Sequence, residues 1–225
     1  MADEQNQNMS MDQIEFMKRM KAIASDLWGG RYTEDETEEP EPEKRREPQQ
    51  GSPQKPAVKS VLNIHNLWKT ADETIDWTDA LAHGTPSDGL TGQRMWSFYH
   101  KYAEQILSGD LDAYTEILQK SNPLGELTDF AEKISMRAPD PDRLESTFTS
   151  KAELLEKDRK QYLSALGLRI ARDLLACLPV SEVVVKGEHE GETVYSVTFT
   201  RQQLMHRNFA FIDPVALSEE CGAQF

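Results

Sequence analysis

The stretch SKAELLEKDRKQYLSALGLRIARDLLACLPVSEVVVK, residues 150–186, decides the fold of this chain. Ser150 followed by Glu153 is typical of a capping box at the start of a helix. Apolar side chains then recur at intervals of three, four and seven, which predicts an amphipathic helix. These positions are Leu155, Tyr162, Leu163, Leu166, Ile170, Leu174 and Cys177. Pro179 predicts that the helix ends just before it, and Val183–Val185 form a β-branched run that predicts a buried strand.

One glycine, Gly167, interrupts the predicted helix. Glycine inside a helix costs roughly 1 kcal/mol relative to alanine. The sequence leaves two interpretations open: a close backbone contact at this position, or plain tolerance of a weak helix former.

Strand patterns lie on both sides of the central helix. Before it, Ile134–Arg137 and Leu144–Thr149 predict two strands, and after it Glu182–Gly187 and Thr193–Thr200 predict two more. The resulting β-β-α-β-β order predicts two hairpins and an antiparallel sheet with the long helix across one face. We therefore expect an α+β fold, with a helical N-terminal half followed by this sheet.

The helical part begins near residue 60, and residues 60–225 are expected to form a single domain. Short helices are predicted over residues 61–68 and 75–81, and a longer one over residues 91–107, which has an aromatic-rich face. Asp110 is a candidate cap for the next helix. Beyond the sheet, the sequence predicts a short helix over residues 201–206 and a turn in the tail at residues 213–214.

The N-terminal residues 1–30 contain a second amphipathic pattern, from Ser10 to Leu27. Its stripe is the predicted partner-binding surface, and a methionine-rich surface adapts well to a partner. The stripe consists of Ile14, Met17, Met20, Ile23 and Leu27. An isolated helix of this length is marginal in water. We expect it to dock on its own domain, on a second copy or on a protein partner, and the sequence does not choose between docking in cis and in trans.

Residues 31–59 are rich in proline and acidic side chains and contain almost no apolar ones. Such a composition predicts a disordered, somewhat extended linker, because little apolar burial would offset the entropy of ordering it. The basic cluster Lys44–Arg46 is flanked by glutamates, so it is a weak candidate for nucleic-acid binding.

The net charge of −14 narrows the classes of partner. A strongly acidic chain disfavours direct binding to nucleic-acid phosphates or anionic lipid. No signal peptide or membrane span is predicted, and we expect a cytoplasmic protein. Two cysteines, Cys177 and Cys221, are too few for a disulfide scaffold, and a buried free thiol is expected at Cys177.

No arrangement in the sequence predicts a catalytic, cofactor-binding or metal-binding residue, and no cofactor is expected. The acids Asp140, Asp142 and Glu182 with Lys186 loosely resemble a nuclease site, but Glu182 and Lys186 are four residues apart instead of two. The three histidines at positions 65, 83 and 100 lie on separate predicted elements, which disfavours a metal site.

Two further clusters each allow a functional and a structural interpretation. Arg169 and Arg172 with Asp173 could bind an anion, but an intrahelical pair between residues 169 and 173 is the simpler account. The aromatic side chains of residues 91–107 could line a ligand site, but a stripe facing the core is favoured.

Four blocks of sequence resemble a family of uncharacterised bacterial proteins from Clostridia-type genomes. They are IDWTDAL (75–81), SGDLDAYTEILQKSNPLGEL (108–127), LRIARDLLACLPVSEVVV (168–185) and YSVTFTRQQLMHRNFAFIDPVAL (195–217). Related sequences carry similar blocks at the C-terminal end of longer multidomain proteins. The resemblance implies one folded module over about residues 60–220 with an interchangeable N-terminus, and it implies no reaction.

The sequence therefore predicts a non-enzymatic protein-interaction module of a bacterial cytoplasm, binding a protein partner or itself through the N-terminal helix. One alternative is a metal-dependent hydrolase or nuclease-like enzyme that uses acids near the hairpin turns. Another is an acidic mimic of nucleic acid of the phage-inhibitor type, which requires the acids to cluster on one face.

Overall fold

The computed structural model describes residues 62–85 and 93–225. The first part is helical, with α1 (Trp77–Ala82), α2 (Gln93–Ser108) and α3 (Leu111–Ser121), and with 3-10 turns at Leu67–Lys69 and Gly125–Leu127. Two aspartates set the helix starts by accepting hydrogen bonds from amides that have no partner inside the helix. Asp76 caps α1, and Asp110 caps α3 as predicted.

The four predicted strands all form, and the first is six residues longer than the predicted Ile134–Arg137. They are β1 (Ala131–Asp140), β2 (Arg143–Ser150), β3 (Glu182–His189) and β4 (Glu192–Thr200), and they lie side by side in that order. The hairpins β1–β2 and β3–β4 are antiparallel as predicted. The central pair β2–β3 is parallel, with Leu144 opposite Val183, so the prediction of an antiparallel sheet is wrong. A helical crossover returns the chain to the end of the sheet where β2 began, and this makes the two strands parallel.

The central helix is divided in two, which corrects the prediction of one continuous helix. The parts are α4 (Ala152–Lys157) and α5 (Arg159–Cys177). Asp158 separates them, because its carboxylate accepts a 3.1 Å hydrogen bond from the amide of Gln161 and caps α5. The predicted capping box does not form: Ser150 ends β2, and its hydroxyl is bonded to His189 Nδ1 at 3.0 Å.

Helix α5 is the centre of the core. Fifteen of its 19 residues are buried, far more than one apolar stripe would cover. It packs on the sheet, mainly on β3, and also on the 3-10 turn at Leu67–Lys69 and on the C-terminal helix α7 (Pro214–Glu220). Neighbours on several sides therefore bury its polar positions as well as its apolar ones.

Gly167 is required by a close contact with Tyr195 of β4. A Cβ atom at position 167 would lie 2.5 Å from Cε1 of the tyrosine ring. The ring is buried, and its hydroxyl is 3.1 Å from the hydroxyl of Ser218 in α7. Of the two interpretations of this glycine, the structure therefore supports close contact.

The two faces of the sheet differ in burial. Alternate side chains such as Leu144, Phe148 and Val185 are buried under the helices. Their neighbours in sequence, such as Thr147 and Lys186, are half-buried or exposed on the opposite face. This alternation is the usual pattern for a sheet covered on one side only.

The C-terminal region adds helix α6 (Arg201–Leu204), a 3-10 turn (Phe209–Phe211) and helix α7. Thr200 and Gln203 form a capping box at the start of α6. The predicted turn at residues 213–214 is the start of α7: Asp213 caps the helix, and Pro214 occupies its first position, where its lack of an amide proton is harmless. Gln224 then pairs with Ser196 at the edge of β4.

The predicted N-terminal helix and linker, residues 1–30 and 31–59, lie outside the described residues. Within the part of the chain that the structure describes, none of the helices combines the length and the apolar character needed to cross a bilayer.

Candidate functional site

An open groove of about 200 Å³ lies beside the C-terminal end of α5. Three segments far apart in sequence form it: the extended residues Ala71–Thr74, the last two turns of α5, and residues 204–209 that follow the sheet. Six of its ten lining residues are apolar, and Asp72, Thr74, Arg172 and Arg201 contribute polar atoms. The apolar lining comes from Ala71, Leu175, Ala176, Leu204, Met205 and Phe209.

The first wall is the strap, which we define as residues 68–75. Arg172 of α5 holds it by donating hydrogen bonds to the carbonyl oxygens of Trp68 and Thr70, the latter at 3.2 Å. Further along, the amide of Ile75 donates to the carbonyl oxygen of Ala176 at 2.9 Å. Hydrogen bonds between α5 and the main chain of the strap thus fix it along the helix.

Arg172 also joins the strap to the opposite wall. Its guanidinium lies 3.7 Å from the centroid of the Phe209 ring, within the range of a cation–π contact. Burial lowers the pKa of Arg172 to about 10, so the side chain stays charged at neutral pH. The groove therefore contains a cation that is already engaged with two carbonyl groups and an aromatic face.

A buried ion pair supports the strap from below. Arg169 Nε donates to the Asp173 carboxylate at 2.6 Å, one turn along α5, which is the intrahelical pair that the sequence favoured. The pair is almost fully buried, and it binds the strap through the Thr70 hydroxyl at 2.6 Å and the Asp72 amide at 2.9 Å. Burial raises the pKa of Asp173 to about 6, although Arg169 favours the ionised form.

Arg201 closes the end of α5 and forms the other side of the groove. Its guanidinium donates to the carbonyl oxygens of Leu175, Leu178 and Val180 at 2.7–2.9 Å. These are carbonyls at or just beyond the helix end, where internal partners run out and a positive charge also suits the helix dipole. The guanidinium groups of Arg172 and Arg201 thus both donate hydrogen bonds to backbone carbonyl oxygens.

Exposed apolar surface continues from the groove onto the adjoining 3-10 turn. Phe211 is 87% exposed, although it lies two residues from Phe209 of the lining. The turn is attached to the strap, because Trp68 Nε1 donates to the carbonyl oxygen of Ile212 at 3.0 Å. An apolar side chain held open in this way on a fixed turn is suited to contact with another polypeptide.

The acids of the suggested nuclease site are used within the sheet. The Asp140 carboxylate accepts from the Asp142 amide at 3.0 Å, and the Asp142 carbonyl oxygen accepts from the amides of Ser181 and Glu182. Glu182 pairs with Arg143 at 2.6 Å, and Lys186 lies on the open face of the sheet. The acids thus stabilise the turn between β1 and β2 and the pairing of β2 with β3.

Two of the three histidines have local partners. His83 Nδ1 is 2.6 Å from the Asp79 carboxylate, and His100 Nδ1 is 2.6 Å from the carbonyl oxygen of Ala80. His65 is exposed near the start of the described chain. Among residues 62–85 and 93–225, no three His, Cys, Asp or Glu side chains are placed to hold a metal ion.

The aromatic side chains of α2 belong to the core, which is the favoured interpretation of that pattern. Trp96 and Tyr99 are buried, and the Tyr99 ring meets Trp77 edge-on at 5.5 Å. Trp96 Nε1 donates to the carbonyl oxygen of His83 at 3.0 Å. Cys177 is buried in the same region as a free thiol, and burial raises its pKa to about 12.

The groove was not predicted from the sequence. The stripe predicted to bind a partner, Ile14 to Leu27, lies outside the described residues. The sequence singled out Arg172, but it gave no sign that this residue would contact Phe209 and line a groove with Arg201, which are 37 and 29 positions away. In the sequence, only the helical spacing of Arg201 and Met205 indicated that two of the lining residues lie on one side of the groove.

Comparison with known proteins adds no further constraint on the groove. No protein-family model matches the chain, and searches of curated proteins and of solved structures return no match.

Proposed function

We propose that this chain is a non-enzymatic protein-interaction module that acts in a bacterial cytoplasm. The single observation that carries the proposal is the groove at the end of α5, together with the exposed Phe211 beside it. The family resemblance of the four sequence blocks stays a prediction beside it.

The size of the groove favours a side chain over a metabolite. Pockets for small organic ligands usually have volumes of roughly 300–1,000 Å³ and bury most of the ligand. A groove of about 200 Å³ that is open along one side is smaller. It suits one or two anchoring side chains of a polypeptide, which is how the energetically dominant residues of protein interfaces bind.

The chemistry of the groove favours the same conclusion. Arg201 is committed to three carbonyl oxygens and Arg172 to two, so both positive charges are partly satisfied before any ligand arrives. The lining that remains for a ligand combines apolar side chains such as Met205 and Phe209 with polar atoms of Asp72 and Thr74. A surface of mixed polar and apolar character is ordinary for a protein interface.

Affinity capture from cells of the source organism tests this proposal. The full chain would be compared with Met205→Glu, which places a charge in the groove, and with Ser135→Glu, a control on the open face of the sheet. We expect Met205→Glu to lose specific partners or change the oligomeric state, and Ser135→Glu to keep both. Deleting residues 1–30 is expected to change them as well.

If the captured proteins and the oligomeric state are the same for all four chains, the proposal is wrong. Thermal unfolding of each variant shows whether a loss of binding reflects the groove or a loss of folding.

A further inference from the structure

We infer that the groove is occupied in cis by the amphipathic segment of the same chain, residues 10–28, so that the module masks its own binding surface. The inference rests on the proposed function, because it names the first occupant of the proposed binding groove. The inference places the predicted stripe at one site on the folded domain, the groove at the end of α5.

The character of the segment fits the groove. Its stripe contains Met17 and Met20, which are flexible side chains that fill irregular apolar spaces such as the one between Met205 and Phe209. Trp28 and Leu27 at the end of the segment provide apolar area that could cover Phe211. A helix that is marginal alone gains stability when its apolar face is buried.

The charges around the groove are compatible with those of the segment. Asp72 and Glu73 are exposed on the strap, and Lys18, Arg19 and Lys21 lie together in the segment. The segment is acidic at its start and basic in its middle. Lys18 and Lys21 are three residues apart on one flank of the predicted helix, so a single orientation can place both towards the strap. Pairs of this kind at an exposed rim favour one register more than they add affinity.

The length of the linker favours docking in cis over a second copy. Residues 31–59 are 29 residues. A flexible coil of that length has a root-mean-square span of about 30 Å, and a proline-rich, charged sequence favours a longer span. The groove wall at Ala71 is nine residues beyond Leu62, the first described residue, and so at most about 32 Å from it. A tether that spans at least this distance keeps the effective concentration well above that of a second copy at micromolar protein.

Photo-cross-linking of the purified full chain tests the inference. The photoreactive residue p-benzoylphenylalanine would replace Phe211, where an aromatic side chain is already exposed, or Thr198 on the open face of the sheet as a control position. We expect Phe211→p-benzoylphenylalanine to cross-link to residues 10–28 of the same chain, with a yield that does not depend on protein concentration. The control position should give no such product.

Two further substitutions make the test specific to the stripe. Met17→Asp in the Phe211-labelled chain should lower the cross-link yield about tenfold, because it puts a charge on the apolar face. Ala22→Asp adds the same charge on the side of the predicted helix opposite the stripe and should leave the yield unchanged.

Three results would overturn the inference. They are a product that links two chains and grows with concentration, a product outside residues 10–28, and equal yields from the two aspartate variants. Each would leave the capture experiment with Met205→Glu as the independent test of the groove, so the failure of docking in cis is distinguishable from the failure of the proposed function.

Discussion

Two buried serines show how the same side chain can lower or raise stability according to its partner. Ser146 Oγ donates to the carbonyl oxygen of Ser135 at 3.0 Å. Ser164 in α5 is fully buried, and its hydroxyl has no hydrogen-bond partner among the described residues. A buried hydroxyl without a partner costs free energy that an apolar side chain of similar size would not.

We therefore expect Ser164→Ala to raise the free energy of unfolding by about 1 kcal/mol, and Ser146→Ala to lower it by a similar amount. Urea-induced unfolding followed by circular dichroism measures both. A loss of stability in Ser164→Ala would show that its hydroxyl is satisfied in solution.

Gly167 is the second position where one atom decides the outcome. Alanine is the better helix former, but its methyl group would overlap the Tyr195 ring. We expect Gly167→Ala to lower the free energy of unfolding by about 2 kcal/mol, within the range for overpacked cores. Gly84→Ala is the matched control, because a Cβ there meets nothing within 4 Å. Equal unfolding midpoints for the two variants would show that the Tyr195 ring can shift away from the added methyl group at little cost.

Residue-level predictions succeeded where the cause was local. The apolar positions of α5 and the cap at Asp110 depend on helical spacing and on amides two or three residues away. Ser150 shows the opposite case, because its hydroxyl bonds to His189 on a neighbouring strand and the capping box is lost. No local pattern reveals a partner 39 residues away.

The strap shows how one element is held by another. Arg169 and Asp173 are paired under it at 2.6 Å with exposed fractions of only 3% and 0%. Removing one partner of a buried pair leaves the other charged and without compensation, which costs more than the pair itself contributes.

Arg169→Met should therefore lower the free energy of unfolding at neutral pH by about 3–5 kcal/mol. Arg143→Met, which breaks an exposed pair with Glu182, should change it by less than about 1 kcal/mol. The double variant Arg169→Met/Asp173→Leu should recover part of the loss. Chemical denaturation of the three variants measures these differences, and similar losses in the two single variants would contradict the account.

The same pair gives the strap a pH dependence. The pKa of Asp173 is about 6 in the folded protein, against an ordinary value of 3.8, so the folded state binds this proton more tightly. The tighter binding of this proton stabilises the folded state fully below pH 4, and the stabilisation is lost as the pH rises through 6. It amounts to at most about 3 kcal/mol. Between pH 4 and 7 the wild type should thus lose more stability than Asp173→Asn. Parallel stability curves for the two proteins would contradict this expectation.

At the level of elements, the sequence predicted which segments are helices and strands better than how they are arranged. The alternation of Tyr195, Val197 and Phe199 identified β4 directly. The parallel pairing of β2 with β3 depends on where the crossover helix returns the chain, and the separation of α4 from α5 depends on the Asp158 carboxylate. Neither is visible in apolar periodicity.

For the whole molecule, the proposed binding groove is built from segments that are far apart in the sequence. The strap, the end of α5 and residues 204–209 meet only in the folded domain, so the groove has no linear motif. The amphipathic segment does have one, which is why the sequence could predict a docking element but not where it docks.

The measurement that tests this account most directly is hydrogen–deuterium exchange of the full chain, compared with Met17→Asp and Ala22→Asp. If the stripe covers the groove, amides of residues 70–74 and 204–211 should exchange about tenfold faster in Met17→Asp. Ala22→Asp, whose charge lies on the side opposite the stripe, should match the wild type. Identical exchange of these two regions in all three proteins would show that the stripe does not occupy the groove.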